Sequence, residues 1–138
     1  MHITNLLSQY FGKFAKKEFP GPIQELINGS YTKFMKLDLK EFKSSKHYKS
    51  LNELFTRDLI IKREIDSSKD IFISPTDSLI TECGKLKNDT ALQIKGMEYS
   101  VEELLTYYCR DNFSKVENGD FMNFYLSPKD YHRYHSPV

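Results

Sequence analysis

The chain contains 138 residues, of which 39% are apolar and 28% are charged, and its formal net charge is +1. This composition is typical of a folded domain and excludes a disordered or fibrous protein, and the near-zero charge gives no general case for nucleic-acid binding. No apolar run approaches the roughly 18 residues that cross a bilayer, so only attachment to a membrane surface stays open. Cys83 and Cys109 match no metal-binding spacing, and we interpret them as reduced thiols of an intracellular protein.

Charge is unevenly distributed along the chain. Residues 1–50 carry nine lysines and four acidic residues, a net charge of +5, whereas residues 51–138 carry eleven basic and fifteen acidic residues, a net charge of −4. A basic, aromatic, helical segment suits an anionic membrane surface. Lysines that merely cover a packed helix explain the same charge, and both interpretations stay open.

The first 60 residues predict several short helices. Apolar residues recur at helical spacing near the amino terminus, namely Leu6, Leu7, Tyr10, Phe11 and Phe14. The residues Pro20-Gly21-Pro22 end this pattern, and Pro22 can open a second helix. A third helical pattern follows Asn28-Gly29. Ser50 and Glu53 form a capping box that predicts a further helix.

From residue 71 onward the pattern changes to short apolar runs. Strands are predicted at residues 71–73, near residues 79–84 and at residues 91–94, and a capping box at Ser100 and Glu103 predicts a helix near residues 100–110. Asn118-Gly119 predicts a two-residue hairpin turn leading into a strand at residues 121–126. We therefore expect an α+β fold with amphipathic helices, then an antiparallel β region with one inserted helix. We expect two regions in the chain. Residues 1–49 form a helical, membrane-associating segment, and residues 50–138 form an incomplete catalytic domain.

The densest cluster of chemically active side chains lies between residues 125 and 137. His132 and His135 stand three positions apart beside Asp130. Imidazoles titrate near neutral pH, and a carboxylate can fix their tautomer, so the cluster suits acid–base catalysis. The same residues also fit a metal site or unrelated structural histidines. Asp77, after a strand and a proline, is either a site residue or a turn residue that binds its own backbone.

Four segments together carry a resemblance. They are residues 50–57 (SLNELFTR), 73–77 (ISPTD), 94–100 (IKGMEYS) and 124–137 (FYLSPKDYHRYHSP). In this order they resemble the motifs of phosphatidylserine decarboxylases.

The resemblance implies a proenzyme that cleaves itself at a serine and leaves a pyruvoyl group on a small subunit. The pyruvoyl carbonyl forms a Schiff base with phosphatidylserine, which loses CO2 and becomes phosphatidylethanolamine. Asp77 and His135 match the residues that drive self-cleavage, Asp130 would position the imidazole, and His132 matches the histidine of the decarboxylation step. The implied partners are phosphatidylserine in an anionic membrane and the pyruvoyl-bearing small subunit, at the cytoplasmic face of the cell membrane.

Two features depart from the family pattern. Ser78 stands where many members have glycine after the first aspartate, and no Leu-Gly-Ser-Thr motif occurs; Gly29-Ser30 lies in the helical region and is not assigned as the cleavage site. We therefore expect the chain to be an inactive part of a longer, β-rich protein, without the serine that forms the cofactor and without a metal. The alternatives are a non-catalytic lipid-binding remnant or scaffold, and a metallohydrolase using His132, His135 and Asp77.

Overall fold

The computed structural model describes residues 3–86, 90–94, 97–101, 113–116 and 118–137. It forms two compact units, one made of Met1–Ser78 with Leu126–Val138 and the other of Leu79–Tyr125. Helices in the first unit and antiparallel strands in the second confirm the predicted α+β class. The predicted functional division at residues 49 and 50 stays a prediction.

The helices of the first unit begin and end largely where local sequence signals lie. They are α1 (Ile3–Lys16), α2 (Gly21–Met35), a 3₁₀ turn (Ser45–His47) and α3 (Leu51–Phe55). Helix α2 opens with a proline in its first turn, where no backbone N–H is needed. It ends at Lys36, whose φ of 54° is left-handed, as is usual after a helix C-terminus.

Two sequence predictions about these helices are confirmed, the second of them in part. The Ser50 capping box is confirmed, because the Ser50 hydroxyl accepts a 3.1 Å hydrogen bond from the Glu53 N–H. The Glu53 carboxylate in turn accepts from the Lys49 N–H at 2.6 Å. The helical pattern after Asn28-Gly29 is confirmed as far as Met35, and it belongs to α2, which runs through both residues. Tertiary hydrogen bonds of the Asn28 side chain to the Ser45 and Tyr48 carbonyls offset its weak helix propensity.

The core of the first unit forms where α1, α2 and α3 meet the loop between residues 36 and 50. Its buried members are Ala15, Leu37, Tyr48, Leu51 and Leu54, and partly buried Ile27, Tyr31, Met35 and Leu39 pack against them. Leu54 is fully buried. The core thus ties the short helix α3 to both longer helices.

The second unit contains two antiparallel strand pairs. Strand β1 (Leu79–Lys85) pairs with β4 (Asp120–Tyr125), and β2 (Thr90–Ile94) pairs with β3 (Met97–Ser100). A short helix, α4 (Phe113–Val116), precedes β4. Leu86 and Val101 are buried in a small cluster with Val116 and Phe121.

Three predictions for the β region are corrected or lie outside the described residues. The hairpin at Asn118-Gly119 is wrong: the partner of β4 is the distant β1, and the Gly119 N–H closes α4 on the Val116 carbonyl. The strand at residues 71–73 is also wrong, because these residues belong to neither of the strand pairs described. The predicted helix at residues 100–110 falls mostly outside the described residues.

None of the helices in the described part of the chain combines the length and the apolarity needed for a membrane span.

Candidate functional site

The histidine-containing segment begins with a tight turn in the first unit. The Asp130 N–H donates to the Ser127 carbonyl at 2.9 Å, and the Asp130 carboxylate accepts from the Ser127 N–H at 2.7 Å. The carboxylate therefore stabilises the turn that leads into the two histidines. Among the described residues it bonds neither imidazole directly, and its predicted role towards His135 stays a prediction.

The His132 ring is held by a backbone carbonyl and an aromatic ring. Its Nδ1 lies 3.0 Å from the Asp130 carbonyl oxygen, and its ring centroid is 4.0 Å from that of Phe55. A carbonyl oxygen can only accept a hydrogen bond, so Nδ1 carries the proton. In the neutral ring, the lone pair then belongs to Nε2, which can accept a proton.

His135 has different surroundings although it is only three residues further on. Its Nε2 lies 3.2 Å from the Tyr131 hydroxyl, and the two rings stack with centroids 5.6 Å apart. The His135 N–H donates to the Pro75 carbonyl at 2.8 Å, which brings it beside the segment that carries Asp77. Tyr131 is buried and His135 is exposed, so a fixed aromatic ring supports an accessible imidazole.

Asp77 is held by a residue that the sequence did not indicate. Both carboxylate oxygens of Asp77 accept from the Arg63 guanidinium, at 2.6 and 2.8 Å, and Arg63 also donates to Glu41 at 2.7 and 3.1 Å. These hydrogen bonds raise the pKa of Arg63 well above its ordinary value, and those to Asp77 have the larger effect. The pairing keeps the Asp77 carboxylate in one orientation. No local motif distinguishes Arg63, because its partners are distant in the sequence.

Asp77 and His135 line the same cavity, which has a volume of about 610 Å³. The lining of this cavity also includes the isoleucines Ile60, Ile61 and Ile65. A carboxylate and an imidazole at one cavity are the groups that can orient and deprotonate a weak hydroxyl nucleophile. The structure brings the two predicted residues to one place, and no direct hydrogen bond joins them among the described residues.

The metal interpretation has no geometric support in the part of the chain that the structure describes. There, no three His, Cys, Asp or Glu side chains converge closely enough to hold a metal ion. The Asp77 carboxylate is taken by Arg63, and His132 and His135 face different neighbours.

Sequence analysis also missed the role of Arg57. Arg57 is 2% exposed and donates to the carbonyls of Lys129 and Asp130 at 2.9 and 3.2 Å. Arg57 lies in the segment SLNELFTR, which indicated a helix cap and one of the four family-like motifs but no role for Arg57 itself.

Comparison with known proteins decides the family. The family profile described as phosphatidylserine decarboxylase matches residues 51–138. The chain belongs to the phosphatidylserine decarboxylase family. This confirms the resemblance based on the four segments.

Relatives named phosphatidylserine decarboxylase proenzyme match almost the whole chain. That of Helicobacter pylori (strain ATCC 700392 / 26695) is 49% identical over 136 residues, which are 98% of this chain and 49% of the relative. That of Campylobacter jejuni is 50% identical over 144 residues, 99% of this chain and 52% of the relative. That of Escherichia coli (strain K12 / DH10B) is 38% identical over 122 residues, 85% of this chain and 37% of the relative. The chain thus spans about half the length of the first two.

Proposed function

We propose that the protein containing this chain is a phosphatidylserine decarboxylase, which converts phosphatidylserine to phosphatidylethanolamine and CO2. Family membership supports the reaction. The observation that carries the proposal is that Asp77 and His135 line one cavity. Nothing in the described geometry favours the lipid-binding remnant or the metallohydrolase.

The first proposed task of this site is self-cleavage of the proenzyme. Asp77 and His135 would act on the hydroxyl of a serine supplied by the rest of the protein, with His135 as the base and Asp77 stabilising the resulting charge. Tyr131 keeps the imidazole in place by stacking, and Arg63 keeps the carboxylate in place by paired hydrogen bonds. In the described part of the chain the imidazole contacts Tyr131 through Nε2, which leaves Nδ1 available in the proposed reaction.

The second proposed task is lipid decarboxylation with a pyruvoyl group. The chemistry of a carbonyl group needs positioned proton donors and acceptors. His132 fits this requirement, because it holds its proton at Nδ1 and its lone pair at Nε2. When bound, a pyruvoyl group supplies a carbonyl that withdraws the electrons released with CO2. His132 would place or deliver the proton at the reacting centre.

Mass spectrometry of the product of the complete reading frame tests the proposal. We expect two polypeptides, with a blocked amino terminus on the smaller one. Asp77→Asn and His135→Ala should leave an uncut proenzyme. The matched controls Asp70→Asn and His47→Ala should process normally, because both side chains are exposed and lie far in sequence from the histidine-containing segment, residues 125–137. Normal processing in both site variants would falsify the assigned roles.

His132 needs a separate assay. His132→Ala should lower the conversion of phosphatidylserine, measured as CO2 release from the processed enzyme. Full turnover in this variant would remove His132 from the mechanism, and absence of turnover in the wild type would refute the proposed reaction.

We also propose that the protein lies peripherally on an anionic membrane, at the cytoplasmic face. The support is an exposed apolar stripe on α1, whose exposed fractions range from 42% to 63%, formed by Leu6, Leu7, Tyr10, Phe11 and Phe14. Lys13 and Lys16 lie in the last turn of the same helix. An apolar face flanked by lysines is typical of helices that bind anionic lipid surfaces.

Vesicle flotation tests the membrane proposal. The complete protein should float with phosphatidylserine-containing vesicles and less with pure phosphatidylcholine vesicles. The pair Leu7→Gln and Phe11→Gln should weaken flotation, whereas Phe72→Gln, which changes a side chain that is 81% exposed outside α1, should not. Equal flotation of all three proteins would exclude α1 as the membrane contact.

A further inference from the structure

The carbonyl that holds His132 is itself held by a buried arginine. One terminal nitrogen of Arg57 donates to the Lys129 carbonyl at 2.9 Å and to the Asp130 carbonyl at 3.2 Å. The Asp130 carbonyl also receives the Nδ1–H of His132. A carbonyl oxygen has two lone pairs, so these two donors occupy it fully.

A second arginine ties the two segments together from the opposite direction. Arg133 donates twice to the Thr56 carbonyl, at 2.9 and 3.0 Å, and pairs with the Asp58 carboxylate at 2.6 Å. Residues 55–58 therefore hold residues 129–133 by Arg57, Arg133 and the stack of Phe55 on His132. Arg57 thus holds the carbonyls of the residues that precede His132, and Arg133 is the residue that follows it.

Stability alone is a poor reason to bury this guanidinium. Its Nε and second terminal nitrogen have no hydrogen-bond partner in the described part of the chain, and its carbon lies 4.5 Å above the Phe42 ring. Burial lowers the pKa of Arg57 from its ordinary value, although an arginine stays charged at neutral pH. Buried charges are often replaceable by apolar residues without loss of stability, and their best-attested use is to specify one arrangement.

We infer that Arg57 is a positioning residue for His132, which it keeps in the Nδ1-protonated tautomer by fixing the carbonyl of Asp130. With this carbonyl fixed, Nε2 is the ring atom left to accept or return a proton. The catalytic meaning of this arrangement rests on the proposed function, whereas the tautomer itself does not. Arg57 acts through the backbone and touches no reacting atom.

Imidazole nitrogen-15 spectra of the protein from the complete reading frame test this inference first in the wild type. At a pH above the titration range of histidine, we expect His132 to be protonated at Nδ1. A wild-type His132 protonated at Nε2 would overturn the inference, and this measurement needs no variant.

Arg57→Lys supplies the second test, because lysine keeps the charge but its amine ends one bond short of the terminal nitrogen that reaches both carbonyls. We expect a mixture of His132 tautomers and a kcat lowered roughly 10- to 100-fold, the range expected when acid–base catalysis is partly lost, with KM nearly unchanged. The control is Lys129→Gln, since only the carbonyl of Lys129 is used; its spectrum and kcat should match the wild type.

The outcomes separate the inference from the proposed function. A folded Arg57→Lys protein with the wild-type tautomer and kcat, or one that is only less stable, overturns the inference. If Arg57→Lys does not fold, Arg57→Gln takes its place, with the same expected change of tautomer and the same refuting result. A wild type with the Nδ1 tautomer but no decarboxylation refutes the proposed function and leaves the positioning intact.

Discussion

Asn28 connects α2 to the loop that precedes α3, and replacing it should be costly. Its side-chain amide donates to the carbonyls of Tyr48 and Ser45, at 2.8 and 3.0 Å, and accepts from the Gln24 side chain at 2.8 Å. Asn28 is fully buried. The change Asn28→Ala removes all three hydrogen bonds and leaves their partners in place.

The magnitude follows from the burial of those partners. The bonds to Tyr48 and Gln24 are buried, whereas that to Ser45 is partly buried. An unpaired buried polar group costs about 1–3 kcal/mol, so the two buried partners cost about 2–6 kcal/mol, and the better helix propensity of alanine returns at most about 0.7 kcal/mol. We expect the free energy of unfolding to fall by about 3 kcal/mol.

Urea unfolding followed by far-UV circular dichroism measures this loss. The midpoint should fall at an unchanged slope, because the surface exposed on unfolding stays the same. Ser30→Ala is the matched control, since Ser30 is exposed on the same helix and its change should stay within about 0.5 kcal/mol. A loss below about 1 kcal/mol for Asn28→Ala would refute the reasoning that these bonds lack a substitute partner.

Three further predictions concern other local features. Ser50→Ala removes the N-cap of α3 and should lower the free energy of unfolding by about 1 kcal/mol, measured by urea titration. Gly119→Ala places a Cβ 2.8 Å from a backbone carbonyl oxygen of α4 and should lower thermal stability by about 1–3 kcal/mol, whereas Gly29→Ala, with open space at its Cβ, should raise it slightly. Unchanged melting of the Gly119 variant would contradict the close approach. The pKa of Asp38 is lowered, mainly by the hydrogen bond from the Lys40 backbone N–H. The contribution of Asp38 to the free energy of unfolding is therefore present above its ordinary pKa and is lost as the pH falls through the lowered pKa. The stability difference between wild type and Asp38→Asn should therefore shrink in acid unfolding titrations, and a constant difference would contradict it.

The organisation of the site explains why two neighbouring histidines can have separate roles. His135 is accessible beside Asp77 at the cavity, with Tyr131 as its support. His132 is held by a backbone carbonyl and by Phe55. Although they are three residues apart, the two imidazoles have different partners, and the roles proposed for them are correspondingly different.

The cavity beside Asp77 depends on a charge arrangement with two carboxylates and one arginine. Arg63 bridges Glu41 and Asp77, and its guanidinium lies 5.7 Å from the centre of the Tyr131 ring. The same side chain therefore holds Asp77 directly and contacts Tyr131, which supports His135. Since Arg63 is partly exposed, this bridge orients the groups more than it stabilises the fold.

The sequence by itself determined the features that depend on neighbours along the chain. The proline that opens α2, the Ser50 cap and the apolar stripe of α1 were predicted correctly as local features. Helix caps, proline geometry and amphipathic spacing act within one or two turns, so the residues that create them are adjacent in sequence.

Only the tertiary structure decided which distant residues meet. Arg57 reaches a carbonyl 72 positions away, Arg63 joins Glu41 to Asp77, and β4 pairs with β1 instead of forming a hairpin at Gly119. No periodic pattern encodes these pairings, because a hydrogen bond to a backbone carbonyl leaves no trace in the residue type of its acceptor. The partners of the site residues, and hence their orientation, follow from the way that the whole unit packs.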